Sequence, residues 1–513
     1  MRRLKPCLAV TAVLLLLMVG VHGALAADFK AAPINPDLED FLFEYQEGRY
    51  TGMTAEGFPL GYMPPPQDLQ ALNPEADQAA IEPLGLPAAF DWRSSPGYSA
   101  VTPVKNQASC GSCWAFGNMG AIESNYKKLT AGHPTLDLSE NNMIDIRDAG
   151  ANKYCHWPWL WTRCAGGNTW TATSYLTGLI KKTATSQYQK GALLEASDPY
   201  NSTAGYANPK CSAAGRPSPS RRINGTRWIS NSTTTMKNAV YTKGPITTAY
   251  YAESPGGAHW YSSNTIYHYP AFGGSTNHEV LIIGWDDNKA WPTGGGKGAW
   301  LIKNSWGNFN SMGGYFWLTY GSAKVGSDGM YYTSTRPYSA KEQLYMEDQP
   351  GWITQVGCGG LTAYGLTVFA PVNTGEKLTH VEFYNPWANR THTIKVWGTV
   401  TSTATSATVS TLKATKSAPC QEPGYYTVAL TTPITLTKGK KYAVEILFNS
   451  PSSSGGYPIP VAAYKVYTGL IGPFAGQGNA TGYARCGSSG AFQRVILSGD
   501  TMVPDIRART TKP

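Results

Sequence analysis

The stretch QASCGSCWAF at residues 107–116 decides the fold of this 513-residue chain. Apolar residues continue from it at helical spacing, at Trp114, Phe116, Ile122, Tyr126 and Leu129. This periodicity predicts a helix that begins at or near Cys113. A thiol at a helix N-terminus lies beside the positive end of the helix dipole, which favours the reactive thiolate. Cys113 is therefore a candidate nucleophile.

A second block supplies an imidazole. His278 opens the apolar run at residues 280–285, whose β-branched members predict a buried strand. An imidazole beside a thiol can form a thiolate–imidazolium pair, so His278 is a candidate base. The other seven histidines lie in the predicted signal peptide, in loops or in the C-terminal region, and they lack this flank.

A third block supplies an amide. Asn304 follows residues 299–303, which predict another strand, and the block reads KNSWG at residues 303–307. A turn that begins at Asp286 and passes through three glycines at residues 294–296 predicts that the two strands form a hairpin.

These three blocks are similar, in the same chain order, to the signatures of the papain-like cysteine peptidases. The resemblance covers residues 87–335, about half of the chain. It implies an α+β catalytic domain of two lobes. The helical left lobe would carry Cys113, and the β-barrel-like right lobe would carry His278 and Asn304. Protein or peptide substrates would lie in the cleft between the lobes.

The resemblance also implies roles for the site residues. His278 would take the proton of Cys113 and pass it to the leaving amine. Asn304 would hold the other ring nitrogen of His278, and Trp306 would shield that bond from water. Gln107 would donate its amide to the oxyanion, together with the backbone N–H of Cys113. Taken singly, Cys113 could be a structural thiol and the amides surface groups; the three blocks together favour the catalytic reading.

Nine cysteines in a chain with a predicted signal peptide indicate disulfides. The resemblance pairs Cys110 with Cys164. Gly166 and Gly167, just after Cys164, look like the family's substrate-binding loop, where glycine lets a peptide backbone approach.

The other cysteines are less determined. The resemblance pairs Cys155 with Cys211, although sequence alone permits three pairings of these two with Cys110 and Cys164. Cys358, Cys420 and Cys486 remain in the C-terminal region, where at most two can pair with each other, and the sequence does not say which.

Glu279 departs from the family's pattern, which usually has a small residue after the histidine. Adjacent side chains on a strand face opposite sides, so Glu279 is expected to point away from Cys113. It could pair with a basic residue or shift the pKa of His278. The pH range of activity is the property that Glu279 puts in question.

The N-terminus predicts an exported precursor. Basic residues, an apolar run at residues 8–21 and a small-x-small site at residues 24–26 are typical of a signal peptide at residues 1–26. Residues 27–86 contain eleven acidic and two basic residues, whereas the whole chain has a formal charge of +9. We interpret residues 27–86 as a loosely structured inhibitory pro-segment, held partly by attraction to the positively charged remainder of the chain. The equal alternative is that these are two solvated surfaces whose charges merely differ.

Two features of this segment refine the hypothesis. A short amphipathic stretch lies near residues 38–45, and residues 61–66 (GYMPPP) cannot be helical because proline removes donors and extends its predecessor. Acid is expected to release the segment, because protonation of its carboxylates removes their attraction to the basic body. No later apolar run reaches the length of a membrane span, so we expect a secreted or periplasmic protein.

Residues 338–513 predict an all-β sandwich, because Ile394, Val396 and Tyr442, Val444 alternate with polar residues. The region resembles the lectin-like domains attached to some prokaryotic papain-like peptidases. A carbohydrate-binding or cell-surface role follows from that analogy alone. Trp387 and Trp397 are either sugar-stacking side chains or core residues.

The sequence therefore predicts four parts, at residues 1–26, 27–86, 87–337 and 338–513. We expect a secreted endopeptidase that forms an acyl-enzyme on Cys113, with its own pro-segment as inhibitor. No cofactor, metal or nucleic acid is implied. An inactive adhesin on the same fold is one alternative. A transpeptidase or ligase is another, because an amine could take the acyl group from the same intermediate.

Overall fold

The computed structural model describes residues 28–50, 52–72, 85–94, 97–145, 163–181, 187–189, 191–206, 208–211, 217–463 and 481–513. The predicted signal peptide and Cys155 lie outside these residues, as does the side chain of Cys211. Within the described part of the chain, no helix is both long enough and apolar enough to cross a membrane.

The N-terminal segment, residues 28–72, contains one short strand and two helices: β1 (Lys30–Ala31), α1 (Pro36–Gln46) and α2 (Leu69–Leu72). The side chain of Asn35 caps α1 by accepting from the N–H of Asp37, and Pro36 suits the first helical turn. Residues 61–66 are non-helical, as predicted. For the described residues of this segment the expectation of a loose structure is wrong, because Leu38, Leu60 and Met63 are buried against the rest of the protein.

The first domain contains four helices among the described residues: α3 (Cys113–Leu129), α4 (Glu140–Ile144), α5 (Thr169–Thr177) and α6 (Thr233–Lys243). Helix α3 begins at Cys113, as the periodicity predicts, and its residues from Cys113 to Asn125 are all buried. This burial makes α3 the central helix of the domain. Short 3-10 turns follow at Glu195–Ser197 and Pro209–Cys211.

The strands of the first domain are β2 (Ala89–Asp91), β3 (Leu179–Lys181), β4 (Gln187–Gln189), β5 (Arg221–Trp228), β6 (Ile246–Tyr250), β7 (Trp260–Tyr261), β8 (Ile266–Tyr267), β9 (His278–Ala290), β10 (Lys297–Lys303), β11 (Tyr315–Thr319) and β12 (Ser327–Pro337). The predicted hairpin is formed by β9 and β10, with Trp285 opposite Trp300. Its turn lies later than predicted, because β2 pairs with β9 at Asp286 and keeps that region extended.

The C-terminal part is built from strands: β13 (Glu342–Tyr345), β14 (Thr354–Gly357), β15 (Thr362–Phe369), β16 (Lys377–Asn385), β17 (Arg390–Ser402), β18 (Ser406–Cys420), β19 (Gly424–Thr435), β20 (Tyr442–Asn449), β21 (Ile459–Ala462), β22 (Gly482–Arg485), β23 (Phe492–Gln493), β24 (Val495–Leu497), β25 (Asp500–Pro504) and β26 (Ile506–Thr511). A 3-10 turn lies at Ser452–Ser454. Six strands close into a barrel in the order β15-β20-β17-β18-β23-β22.

Two sheets connect the parts of the molecule. One has the order β13-β26-β16-β19-β5-β12-β6-β9-β10-β11-β8-β7, with β2 paired to β9. It passes from the C-terminal part to the first domain where Gly424 and Tyr425 of β19 pair with Arg227 and Thr226 of β5. The other sheet has the order β1-β14-β21-β25-β24, so the N-terminal segment adds its edge strand to the C-terminal part.

Candidate active site

Cys113 lies at the first residue of α3, fully buried, as the sequence suggests for the nucleophile. Its Sγ accepts a hydrogen bond from the backbone N–H of Glu279 at 3.3 Å. Burial raises the pKa of the Cys113 thiol well above its ordinary value, and the N–H of Glu279 opposes this shift. In this state the sulfur is therefore a neutral thiol.

His278 opens β9 beside Cys113, and β6 positions it by pairing Tyr250 opposite it. Its Nε2 lies 2.8 Å from Oδ1 of Asn304. Its buried Nδ1 has no hydrogen-bond partner among the described residues, so this nitrogen remains for proton exchange. Burial lowers the pKa of His278 to about 4, although the bond to Asn304 opposes this shift. The imidazole is therefore neutral here.

Trp306 covers this pair. Its ring centroid lies 4.7 Å from that of His278, and the indole is only 6% exposed. Its Nε1 donates to the carbonyl of Pro59 in the N-terminal segment at 2.8 Å. Trp306 therefore lies where the family resemblance places the side chain that would shield the His278–Asn304 bond from water.

Gln107 is buried, and its side chain faces the N-terminal segment. Its Nε2 donates to the carbonyl of Leu60 at 2.9 Å, and its Oε1 accepts from Ser305 Oγ at 2.7 Å. The backbone N–H of Ser305 also donates to Oδ1 of Asn304 at 2.8 Å. Ser305 thereby fixes both amides, a role that sequence reasoning missed although Ser305 lies inside the KNSWG block.

The glycine loop after Cys164 binds the same segment. The N–H of Gly167 donates to the carbonyl of Gly61 at 3.0 Å, and the N–H of Met63 donates back to the carbonyl of Gly167 at 2.9 Å. A Cβ at Gly167 would lie 2.5 Å from the Trp114 ring, so only glycine fits there. A disulfide between Cys110 and Cys164 ties this loop to the start of α3.

Gly166 shares the close approach, since its φ is 118° and a Cβ there would lie 2.8 Å from the carbonyl oxygen of Gly61. Gly61 likewise has no space for a side chain, because an added Cβ would lie 2.2 Å from the carbonyl carbon of Gly111. The backbone of the N-terminal segment therefore fills the groove between Gly111, Gly166 and the sulfur.

Tyr62 is the anchor of the segment in this groove. Its side chain is 2% exposed and packs against Cys113 and Ala249. It borders a cavity of about 270 Å³ that Asp328 also lines. Asp328 accepts from Thr169 Oγ1 at 2.6 Å, and burial raises the pKa of its carboxyl to about 7. No sequence signal pointed to Asp328.

Glu279 is also buried, at 1% exposure. Its side chain lies against α3, where Oε1 accepts from Asn118 Nδ2 at 2.7 Å, while its backbone N–H faces Cys113. The partner is thus an amide rather than the basic residue considered above. Burial raises the pKa of Glu279 well above its ordinary value, which favours the neutral form of the carboxyl. Gly117 leaves the necessary room, because a Cβ there would lie 3.0 Å from Oε1.

The remaining cysteines divide between a bridge and a thiol. Cys358 and Cys486 form a disulfide, which resolves the pairing that the sequence left open, and Cys420 is a buried free thiol. The predicted Cys155–Cys211 bridge lies outside the described residues. Among the residues that the structure does describe, no cluster of three or more His, Cys, Asp or Glu side chains is arranged to hold a metal ion.

Comparison with protein families gives two matches. A model described as "Papain family cysteine protease" matches residues 86–335, and a model described as "Lectin like domain" matches residues 344–472. Cathepsin Q of Rattus norvegicus is 34% identical over 234 residues, and cathepsin S of Mus musculus is 33% identical over 232 residues. These matches cover 45% and 44% of this chain and 57% of each relative. The chain therefore spans little more than half the length of these relatives.

Solved structures give a longer match. The cysteine protease and lectin-like domains of Cwp84, a surface layer associated protein of Clostridium difficile, superpose with a TM-score of 0.74 at 22% identity. The match covers 96% of this chain and all of that chain, and at this identity it concerns the fold alone. Cwp84 after propeptide cleavage matches 83% of this chain and 99% of its own, with a TM-score of 0.66 and 23% identity. The predicted order, a papain-like domain followed by a β-rich lectin-like domain, is confirmed.

Proposed function

Residues 86–335 belong to the papain family of cysteine proteases, and from this premise we propose that the chain is a secreted cysteine endopeptidase made as an inactive precursor. The observation that carries the proposal is the convergence of Cys113, His278, Asn304 and Gln107 at one groove, which a peptide segment of the chain itself occupies. The roles below are part of the proposal.

In the proposed reaction, His278 Nδ1 accepts the proton of Cys113, and the sulfur attacks the carbonyl carbon of a substrate peptide. Gln107 Nε2 and the backbone N–H of Cys113 stabilise the oxyanion. The C–N bond then breaks, and the imidazolium protonates the leaving amine. Water, deprotonated by His278, attacks the thioester, and the carboxylic acid leaves as the thiol re-forms.

The N-terminal segment acts as the inhibitor of this reaction. It places the Leu60 carbonyl on the Gln107 amide, where a substrate carbonyl would lie, and it covers Cys113 with Tyr62. Tyr62 pairs in parallel with Gly167, so the segment has a defined direction across the loop. Because the covered thiol and imidazole are both neutral, removing the segment and readmitting water would favour the ion pair.

Acid would weaken this inhibition through Glu56. Its carboxylate accepts from Ser254 Oγ of the catalytic domain, and this bond lowers its pKa. A carboxyl whose pKa is lowered in the bound state stabilises that state above its free pKa and stops doing so as the pH falls through its bound value. Glu44 and Glu47 pair with Arg49 of the same segment and not with the catalytic domain. Any attraction between these carboxylates and the positively charged catalytic domain therefore acts at long range.

We propose a surface-binding role for the lectin-like domain, in line with the printed description of Cwp84 as surface layer associated. Trp387 does not support it, because its ring is fully buried. Trp397 is half-buried, and its Nε1 donates to Glu445 at 2.9 Å. Binding to immobilised glycans by the full chain and by its Trp397→Ala variant would test this role.

The central experiment compares the secreted precursor with its Cys113→Ala variant at acidic and neutral pH, with and without a thiol-directed epoxide inhibitor. We expect loss of residues 27–86 and casein cleavage in the wild type only, and epoxide labelling of Cys113. Identical behaviour of the two proteins at every pH, with no label on Cys113, would overturn the peptidase proposal. A competing amine in the assay would reveal acyl transfer if the enzyme is instead a transpeptidase.

A further inference from the structure

Six lysines lie at one end of the lectin-like domain: Lys341, Lys377, Lys438, Lys440, Lys441 and Lys512. We call this set the lysine end. Five of them are exposed and Lys512 is half-buried. None forms an ion pair with an acidic residue of the described chain.

The strand register brings these lysines together although they are far apart in sequence. Thr511 of β26 pairs with Glu342 of β13 on one side and with Lys377 of β16 on the other. Lys377 also pairs with Thr435, near the end of β19. Lys341 and Lys512 flank the same pairs, and the N–H of Lys512 donates to the carbonyl of Lys341.

The turn after β19 carries the other three lysines, and it packs beside the turn before β16. The N–H of Leu436 donates to the carbonyl of Glu376, and the N–H of Gly439 donates to the carbonyl of Pro371. Lys438, Lys440 and Lys441 thus extend the row that Lys377 begins. Four neighbouring strands span about 14 Å, so the lysines at their ends lie within about one to two Debye lengths of one another. Lys441, which donates to Ser402 of β17, extends the row toward the barrel.

The acidic residues of the domain do not balance this charge at the surface. Residues 338–513 contain nine acidic residues, of which seven are buried. Of the other two, Glu342 pairs with Arg336 and Arg509, and Glu422 accepts from the Tyr331 hydroxyl. Glu376, which directly precedes Lys377 in sequence, is buried and accepts from the hydroxyls of Tyr345 and Thr510.

The rest of this surface favours a sugar polymer over a membrane or a nucleic acid. Thr374, Thr435 and Thr437 expose hydroxyls beside the lysines, which suit hydrogen bonds to sugar rings. The exposed large apolar side chains of the described residues lie elsewhere in the chain, at Phe43, Leu129, Leu194, Tyr241, Leu361, Leu412 and Ile496. The lysine end therefore lacks the aromatic platforms that stack bases and the apolar wedges that enter lipid.

We propose that the lysine end binds an anionic polysaccharide, whose carboxylate or phosphate groups the six ammonium groups neutralise. Clustered unpaired lysines repel one another in the free protein, and an external polyanion removes that repulsion. The inference deepens the surface-binding role proposed above for the lectin-like domain. It is independent of the peptidase proposal, since none of these lysines is placed in the active site.

The test uses the full chain in the Cys113→Ala background, so that self-cleavage does not occur. Its triple variant Lys438→Gln, Lys440→Gln, Lys441→Gln is compared with a matched triple variant Lys297→Gln, Lys395→Gln, Lys416→Gln. Both variants lose the same formal charge. Lys395 and Lys416 lie on β17 and β18, roughly 23 Å along the strands from Ser402, which contacts Lys441. Binding is measured to immobilised polygalacturonate, phosphomannan and neutral dextran over a range of salt concentrations.

We expect the parent protein to bind one or both acidic polymers and not dextran, and the two acidic polymers tell a carboxylate ligand from a phosphate ligand. The lysine-end variant should bind at least about tenfold more weakly, with a log–log salt slope smaller by roughly two to three. The matched variant should bind within about twofold of the parent, because it leaves the row intact.

An equal loss of polymer binding in the two variants would overturn the proposal, because the change in net charge alone would then explain the weaker binding. Equally tight binding of the parent to duplex DNA or anionic vesicles at the same salt would overturn the choice of a polysaccharide. Casein cleavage by the same lysine variants with Cys113 intact separates the two hypotheses: loss of polymer binding with normal cleavage supports both, and normal binding without cleavage sinks only the peptidase.

Discussion

Glu279 illustrates how one buried side chain is accommodated beside a reactive pair. Asn118 donates both amide hydrogens, to Glu279 and to the carbonyl of Trp114, and it accepts from the Tyr332 hydroxyl. The amide orientation is therefore fixed, with its NH2 group toward Glu279. A negative charge beside the sulfur of Cys113 would disfavour the thiolate. A neutral carboxyl at Glu279 avoids this effect.

The variant Glu279→Gln should retain both fold and activity, because glutamine is neutral and keeps an acceptor for Asn118. We expect kcat/KM within about twofold of the wild type, whereas Glu279→Ala should lose roughly 1–3 kcal/mol of unfolding free energy through the orphaned amide. Thermal unfolding and casein kinetics measure both. If glutamine is as damaging as alanine, the carboxyl is ionised in the working enzyme and this account is wrong.

Asp328 would make the proposed inhibition dependent on pH in the direction opposite to Glu56. Burial beside Tyr62 raises its pKa to about 7, and the ordinary value of 3.8 applies when the pocket is open to water. Binding of the pro-segment would then take up a proton between about pH 3.8 and pH 7, so the affinity should fall as the pH rises across this range, by up to about tenfold per pH unit, and should level off above about pH 7. Asp328→Asn should abolish this fall.

The measurement is inhibition of the processed enzyme by a peptide of residues 27–86 from acidic to alkaline pH. With Glu56 acting at low pH, wild-type inhibition should be strongest at mildly acidic pH. An Asp328→Asn enzyme whose inhibition still falls in the same way as the pH rises towards about 7 would assign the effect to another group.

At the scale of elements, the fit of the N-terminal segment depends on a contact between two glycine backbones. Gly61 has a φ of 124°, and its Cα lies 3.4 Å from the position that a Cβ on Gly111 would take. Gly57 also has a positive φ, of 84°, but a Cβ there would meet nothing within 4 Å. Substitutions at these two positions therefore distinguish the effect of a steric clash, expected only at Gly61, from the effect of a positive φ, which both positions share.

Gly61→Ala should activate the precursor, because the new Cβ would overlap the carbonyl of Gly111 and push the segment out of the groove. We expect epoxide labelling of Cys113 in the unprocessed protein to become at least about tenfold faster, the effect of losing roughly 1.4 kcal/mol of docking free energy. Gly57→Ala is the control for the positive φ and should label more slowly than Gly61→Ala, because its methyl group meets no neighbouring atom. Equal rates in the two variants would show that the groove tolerates the methyl group.

At the scale of the whole molecule, the N-terminal segment connects both domains. It pairs β1 with β14 of the lectin-like domain, and Gln67 Nε2 donates to the carbonyl of Ile353 at 3.4 Å. Gln70, three residues later, instead donates to the carbonyl of Ile229 in the catalytic domain. The segment therefore contacts both domains as well as the groove that it fills.

Gln67→Ala should weaken the attachment of the N-terminal segment to the lectin-like domain, because the buried carbonyl of Ile353 loses its hydrogen-bond donor. Hydrogen exchange of the precursor should become at least about fivefold faster at Lys30–Ala31 and in the edge of β14, a loss of about 1 kcal/mol in local stability. Gln70→Ala should leave these amides unchanged. Faster exchange in both variants would mean that the whole segment moves as one unit.

The sequence by itself determined the elements that carry the chemistry. Helical periodicity placed the start of α3 at Cys113, and the β-branched run placed the strand that His278 opens. The three sequence blocks identified the papain family, because family signatures are defined by residue type and by spacing along the chain. These features depend on interactions within a few residues, which a local pattern encodes.

Only the tertiary structure decided which distant groups meet. Ser305 bridging the two amides, Asp328 beside Tyr62 and the Cys358–Cys486 bridge depend on contacts between residues far apart in sequence. The described residues of the segment expected to be loosely structured are ordered, because the cleft and β14 supply the partners that its own residues lack. Such contacts depend on loop closure and on the shape of the opposing surface, so the periodicity of either partner's sequence does not predict them.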